Sequence, residues 1–380
     1  MSAAVRHTPE QDLLLRAALL DGDAARAAWE EWRARVPLDD ADFASQGVFP
    51  LLYRNLSRLG VDDPDLGRLK GHLRRTLYLN HILFAAAGNA LEALHEAGIE
   101  TLLLKGAPLA ILRYGSPGLR PMADVDILVP TDRALAAMRL LRELGWDSID
   151  HPDPERRIEL RHSEGFRRHS DGALIDLHWN ALMQPFRDDD LWSAAIDIEI
   201  GGVPTRAPCA TDQLLLVIAH TLLHDDFPGS LLWITDSAAL LGPAGQDIAW
   251  DRLVEAARRR EVTLPLAAGL EYLLGLLGTV PEAVISELAA SPTRRLERAA
   301  FHAAANGESR RKQLTLIADR HARLRRLDTP FPRPDLLIYV ARSLGYPTRR
   351  QLLAVGVRTL ARDASARLRR TVRRTAVPAD

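Results

Sequence analysis

Apolar residues recur at three- and four-residue spacing through residues 69–97, as an amphipathic helix requires. Residues 11–20 and 24–36 are rich in Ala, Leu, Glu and Arg, a helix-forming composition, and residues 60–64 read as a linker. Near residue 97 the pattern changes to short apolar runs. Residues 99–104 read as a buried strand ending in a tight turn, and residues 107–114 as a helix that tolerates Pro108 in its first turn. A strand over 124–129 follows, then a helix over 131–144 with Thr131 as N-cap and Gly145 as its stop. Residues 157–169 and 173–180 read as two strands around the turn Ser170-Asp171-Gly172. A shorter hairpin joins 196–200 to 203–206 through Gly201-Gly202. From Thr211 onward the pattern is helical again. Thr211 and Asp212 can cap residues 213–223, and helices follow over 250–260, 264–277 and 281–290. The expected class is α+β, with a small mixed β-sheet core flanked by N-terminal and C-terminal helical subdomains. The expected divisions are 1–96, 97–210, 211–340 and an Arg-rich helix or tail over 341–380.

Two acids break one of the apolar runs. In Arg120-Pro121-Met122-Ala123-Asp124-Val125-Asp126-Ile127-Leu128-Val129, Asp124 and Asp126 stand two apart. On a strand they share a face, at about the spacing that clamps a divalent cation. Burying two like charges together is costly unless a cation neutralises them. Residues 173–180, Ala-Leu-Ile-Asp-Leu-His-Trp-Asn, carry Asp176 and His178 on one face. If this strand lies beside the first, Asp176 becomes a third carboxylate, and three acids on neighbouring strands suit a two-metal phosphoryl-transfer site. Upstream, strand, Gly106 turn and helix start together favour an anion. Lys105 adds a positive charge there. Only Lys70, Lys105 and Lys312 are lysine among 49 basic residues, so a lysine kept at an apolar strand end stands out.

The order Leu-Leu-Lys-Gly, then Arg-Pro-Met-x-Asp-x-Asp-Ile-Leu-Val, then Ile-Asp-Leu-His-Trp resembles a bacterial nucleotidyltransferase-like family of uncharacterised members. That family belongs to the DNA polymerase beta-type nucleotidyltransferase superfamily. The resemblance is specific across residues 99–180 and looser over the flanks, including residues 47–53 and 220–236. It implies a mixed sheet with flanking helices, use of Mg²⁺ (or Mn²⁺) and a nucleoside triphosphate, and transfer of a nucleoside monophosphate. By the family pattern Asp124 and Asp126 match the metal-binding pair and Asp176 the third acid. The wider superfamily carries Gly-Ser at the phosphate turn where this chain has Lys105-Gly106.

Other residues keep more than one reading. Arg120 either neutralises a triphosphate or is one solvated arginine among 46. His178 orients Asp176, binds the nucleotide, or is a core histidine beside Trp179. His220 and His224 stand four apart on a helix, but no third ligand makes a zinc site. Packing near the cleft with Trp233 and Asp236 fits them better.

At 380 residues, 47% apolar and 26% charged, the chain is an ordinary globular one with a large core. Its net charge of −1 excludes a general polycation, but residues 342–380 hold ten Arg against two Asp, a local +8 that leaves −9 elsewhere. Such a stretch is a solvated helix or a contact for nucleic acid or another anionic partner. The single Cys209 excludes an internal disulfide framework, and no apolar run reaches the roughly 20 residues of a membrane span. No signal pattern opens the chain, so the expected location is the cytoplasm. The expected activity is nucleotidyl transfer to an acceptor that is a small molecule, a protein or an RNA. The alternatives are a nucleotide-binding regulator without turnover and a nucleic-acid binder acting through the Arg-rich terminus.

Overall fold

The computed structural model describes residues 7–149, 153–183, 185–223, 230–242, 247–305, 310–327 and 334–344. Helices lead: α1 (Pro9–Leu19), α2 (Gly22–Arg35), α3 (Phe43–Gln46), α4 (Phe49–Arg58) and the long α5 (Leu66–Glu96). The central part runs β1 (Leu102–Leu104), α6 (Gly106–Leu112), β2 (Val125–Leu128), α7 (Ala134–Glu143), β3 (Trp146–Ser148), β4 (Ser163–Arg168), β5 (Leu174–His178), α8 (Asp189–Ser193), β6 (Ile196–Ile200) and β7 (Val203–Ala207). Helices close the described chain: α9 (Ala210–Leu223), α10 (Leu232–Leu241), α11 (Trp250–Arg259), α12 (Thr263–Leu277), α13 (Glu282–Ala289), α14 (Arg295–Ala305), α15 (Arg310–Leu324) and α16 (Leu336–Ser343). The class is α+β, as the patterning implies. None of the described helices is long and apolar enough to cross a membrane.

The seven described strands form one mixed sheet in the order β3-β4-β5-β2-β1-β7-β6. At its centre β2 runs antiparallel to β1 and parallel to β5. Alternation along these strands separates two cores. Leu103, Val125, Ile127, Ile175 and Leu177 pack with Leu91 and Leu94 of α5 and with Ala137, Met138 and Leu141 of α7. Leu102, Leu104 and Leu128 face the opposite way, into a larger core built from helices of both flanks. The two helical flanks therefore share one core, which closes over one face of the sheet. On that face the alternation also places Asp126 and Asp176.

One close approach fixes the far end of the sheet. Gly88 of α5 lies against the β6–β7 turn, where a Cβ would come 3.0 Å from the Gly201 carbonyl oxygen. Gly201 itself has φ +58° and could not carry a side chain without running into the Phe84 backbone.

Several local expectations need correction. Residues 157–160 are not strand: a 3-10 turn over Pro154–Arg157 comes first, and β4 begins only at Ser163. Thr131 is not an N-cap, because its hydroxyl donates to the Trp179 carbonyl at 2.8 Å and a 3-10 turn precedes α7. Thr211 and Asp212 lie inside α9. The Thr211 hydroxyl accepts from the Ala249 amide at 2.9 Å, and Asp212 accepts from Arg252 at 2.6 Å. His224 and the Arg-rich stretch from residue 345 lie outside the described residues.

Candidate active site

Strand register brings the acids together. Asp126 of β2 stands opposite Asp176 of β5, and Leu128 opposite His178. In a parallel pair, side chains in register on one face are neighbours. His178 follows Asp176 by two residues, so its ring also lies on that face. Its Nε2 reaches Asp126 Oδ1 at 3.0 Å and Asp176 Oδ2 at 3.0 Å, and the side chain is fully buried. Behind it the His162 ring packs edge-on, 5.2 Å between centroids. Among the described residues, Asp126, Asp176 and His178 form the group whose ligand atoms all lie within 4.8 Å.

Asp124 is placed differently from the strand expectation. β2 begins at Val125, so Asp124 lies between the bend at Ala123 and the strand and is not one of that closest group. It still feels the cluster. Burial and the neighbouring Asp126 raise its carboxyl to about 7, against the pull of Lys105.

Lys105 lies at the heart of the cluster. Its Nζ is 2.6 Å from Asp126 Oδ1, with the side chain 16% exposed, and donates to His220 Nε2 of α9 at 3.2 Å. To do so its backbone takes φ +51°, a conformation that costs a side-chain-bearing residue about 1–3 kcal/mol. Burial alone would lower the lysine pKa, but Asp126 and Asp176 outweigh it and raise it. Burial also works against ionising Asp126, and Lys105 and His178 outweigh it to hold that carboxyl well below the usual range. Asp176 is likewise lowered, burial being outweighed by His178.

Arg120 is neither solvated nor idle. Its Nε and Nη2 bond Asp236 of α10 at 3.2 and 2.9 Å, and its Nη1 donates to the Pro121 carbonyl at 3.0 Å. The guanidinium lies against Gly106: a Cβ there would run into Nη1 and come 2.9 Å from Met122 Sδ. Gly106 thus leaves the space that the guanidinium fills, while the positive φ of the turn falls on Lys105. Tyr114, which the sequence left unmarked, donates its hydroxyl to Asp236 at 2.6 Å.

The family model described as "Uncharacterised nucleotidyltransferase" matches residues 43–278 of this chain. The chain belongs to that family. The match spans β1 to β7 and also α9 and α10, so it includes the helices that touch Lys105 and Arg120. A solved antigenic nucleotidyltransferase-like protein from Paracoccidioides brasiliensis is similar at 17% identity and TM-score 0.35, over 58% of this chain and 97% of that one. A comparison with curated proteins gives no match.

The donor set of this family member fits a hard divalent cation. Two carboxylates stand in register and a third lies one residue before the strand, an oxygen-rich set suited to Mg²⁺ or Mn²⁺. The imidazole sits beneath both carboxylates, as a donor that orients them.

His178 makes the metal-free state sensitive to pH. Burial would lower its pKa, but Asp176 and the bonds to both carboxylates raise it from 6.5 to about 9. The proton is therefore held more tightly folded than unfolded. Its contribution to stability is full below about pH 6.5 and is lost as pH rises through about 9. In chelator-treated protein the melting temperature should fall across that window. His178→Asn should flatten the fall, and an equally steep fall in the variant would place its origin elsewhere.

Proposed function

We propose that this chain is a divalent-metal-dependent nucleotidyltransferase that moves a nucleoside monophosphate from an NTP to an acceptor and releases pyrophosphate. The observation that carries the reading is the direct register of Asp126 and Asp176, bridged by one buried imidazole. Asp124, Asp126 and Asp176 would hold Mg²⁺ or Mn²⁺, which when bound neutralises phosphate charge and acidifies the attacking hydroxyl. His178 keeps the two in-register carboxylates aimed together. Lys105, whose Nζ lies 2.6 Å from Asp126 Oδ1, would offer its ammonium to the β- and γ-phosphates, and the Arg120 Nη1 edge at Gly106 would offer a second cation. The acceptor oxygen bonds to the α-phosphorus as the bond from that phosphorus to the β-bridging oxygen breaks. Pyrophosphate leaves with the bond's electron pair. Asp176, whose side chain is 23% exposed against 10% for Asp126, is the acid better placed to take the acceptor's proton. Most of the rate gain comes from positioning and charge neutralisation.

The test is incubation of the protein with each α-labelled NTP, Mg²⁺ or Mn²⁺, and fractions of small molecules, proteins and RNA. Label should enter one fraction with stoichiometric pyrophosphate, and Asp176→Asn should abolish both. Release of orthophosphate without label transfer, or transfer undiminished in Asp176→Asn, would refute the reading.

A further inference from the structure

The Arg120 guanidinium reaches the Gly106 turn under guidance from Asp236, Tyr114 and Asn80. Asp236 is 2% exposed and takes two guanidinium nitrogens, Nε and Nη2. The Tyr114 hydroxyl fixes that carboxylate, donating to Asp236 Oδ1 at 2.6 Å, and also approaches Thr235 Oγ1 at 3.2 Å. Asn80 of α5, fully buried, donates to the backbone carbonyls of Pro117 and Arg120 at 2.6 and 2.8 Å. Two helices, α5 and α10, thus hold one arginine by its backbone and by one edge of its guanidinium.

Stability alone is a weak reason for this arrangement. Apolar residues of similar volume often replace a buried ion pair at no net cost. The geometry offers another reason. With Nε and Nη2 committed to Asp236, the nitrogen left at the turn is Nη1. It carries two hydrogens, one of which goes to the Pro121 carbonyl. Lys105 is gripped in a comparable way by His220 of the neighbouring helix α9. Both cations at the turn are therefore touched by the helical layer that closes over the acids.

We propose that Asp236, steadied by Tyr114, is a positioning residue that fixes Arg120 Nη1 at the Gly106 turn and so gives the site its preference for a nucleoside triphosphate over the monophosphate. This rests on the nucleotidyl-transfer reading above and adds to it the residues that set triphosphate recognition. Asp236 itself touches no phosphate. A planar fork held along one edge presents its remaining N–H groups in a fixed direction, which a lysine could not do.

Calorimetric titration tests this. The four NTPs are screened with Mg²⁺ on the wild-type chain, then the best-bound NTP and its own monophosphate are titrated into each variant. Asp236→Asn should weaken the triphosphate about tenfold, the value of a charge-assisted bond, and leave the monophosphate within about twofold. Tyr114→Phe, which keeps the ring and removes one hydroxyl, should move the ratio in the same direction by less, and it serves if Asp236→Asn does not fold. In an Arg120→Gln background, Asp236→Asn should add less than about twofold, because the residue it positions is gone. A triphosphate-to-monophosphate ratio unmoved by both Asp236→Asn and Tyr114→Phe, or effects of Asp236→Asn and Arg120→Gln that simply multiply, would overturn the proposal. Those results leave the nucleotidyl-transfer reading standing. No metal-dependent NTP binding by the wild type would remove both.

Discussion

Asp126→Asn should lower nucleotidyl transfer by about a thousandfold or more, while leaving the chain folded. The two side chains have nearly the same shape, so the sheet register and the packing of Leu128 into its core need not change. What changes is charge at the one atom three groups depend on. Asp126 Oδ1 meets Lys105 at 2.6 Å and His178 at 3.0 Å, and it belongs to the group spaced for a metal. A neutral amide holds none of these as strongly. Lys105 keeps the attraction of Asp176 and Asp124, so its ammonium is not stranded. The cost in stability is accordingly smaller than for a buried pair broken in isolation. Initial rates of pyrophosphate release check the first part, and circular dichroism with thermal melting checks the second. A variant within tenfold of wild-type rate would show that this carboxylate is not at the reacting centre.

Arg260→Ala should be the more damaging change to stability, by about 3–5 kcal/mol. Arg260 lies at the end of α11 with its side chain 1% exposed, bonded to Asp188 at 2.6 Å and Asp190 at 2.5 Å. Asp188 also accepts from the Ala181 amide at 2.8 Å. The arginine therefore ties the segment just after β5 to the helical layer. Removing it leaves two acids without their main cation and a void beneath them. Burial already raises the Asp188 pKa against the opposing pull of Arg260, so the variant should take up a proton there and regain some stability at acid pH. Thermal melting at neutral pH should show a loss on the order of 10 °C. A shift of a degree or two would mean that water repays the pair. Because β5 carries Asp176 and His178, metal affinity should fall with it.

The site was legible where a short-range rule set it. Apolar alternation with single acids marks β2 and β5 as half-buried strands, and the period of two places Asp176 and His178 on one face. The strand itself starts one residue after Asp124, which still feels Asp126, Lys105 and Asp176. Sequence alone could make β2 and β5 neighbours only as a supposition. Their register, which sets Asp126 against Asp176, comes from long-range packing of the whole sheet. Between a phosphate contact and a solvated arginine the sequence could not choose for Arg120, since its partner Asp236 lies 116 residues away. Asp236 left a faint signal, an acid inside the apolar run Leu231–Leu241. α10 was hard to see for the same reason, being buried on most sides and so without a polar stripe. β3, three residues long, is too short to show any period.

Mn²⁺ binding, followed by the paramagnetic resonance of the free ion with and without NTP, tests the central claim most directly. Wild-type protein should bind the ion, and more tightly when NTP is present. Asp126→Asn and Asp176→Asn should each weaken it about tenfold or more. An Asp126→Asn/Asp176→Asn double variant that binds Mn²⁺ and NTP as tightly as the wild type would contradict the account.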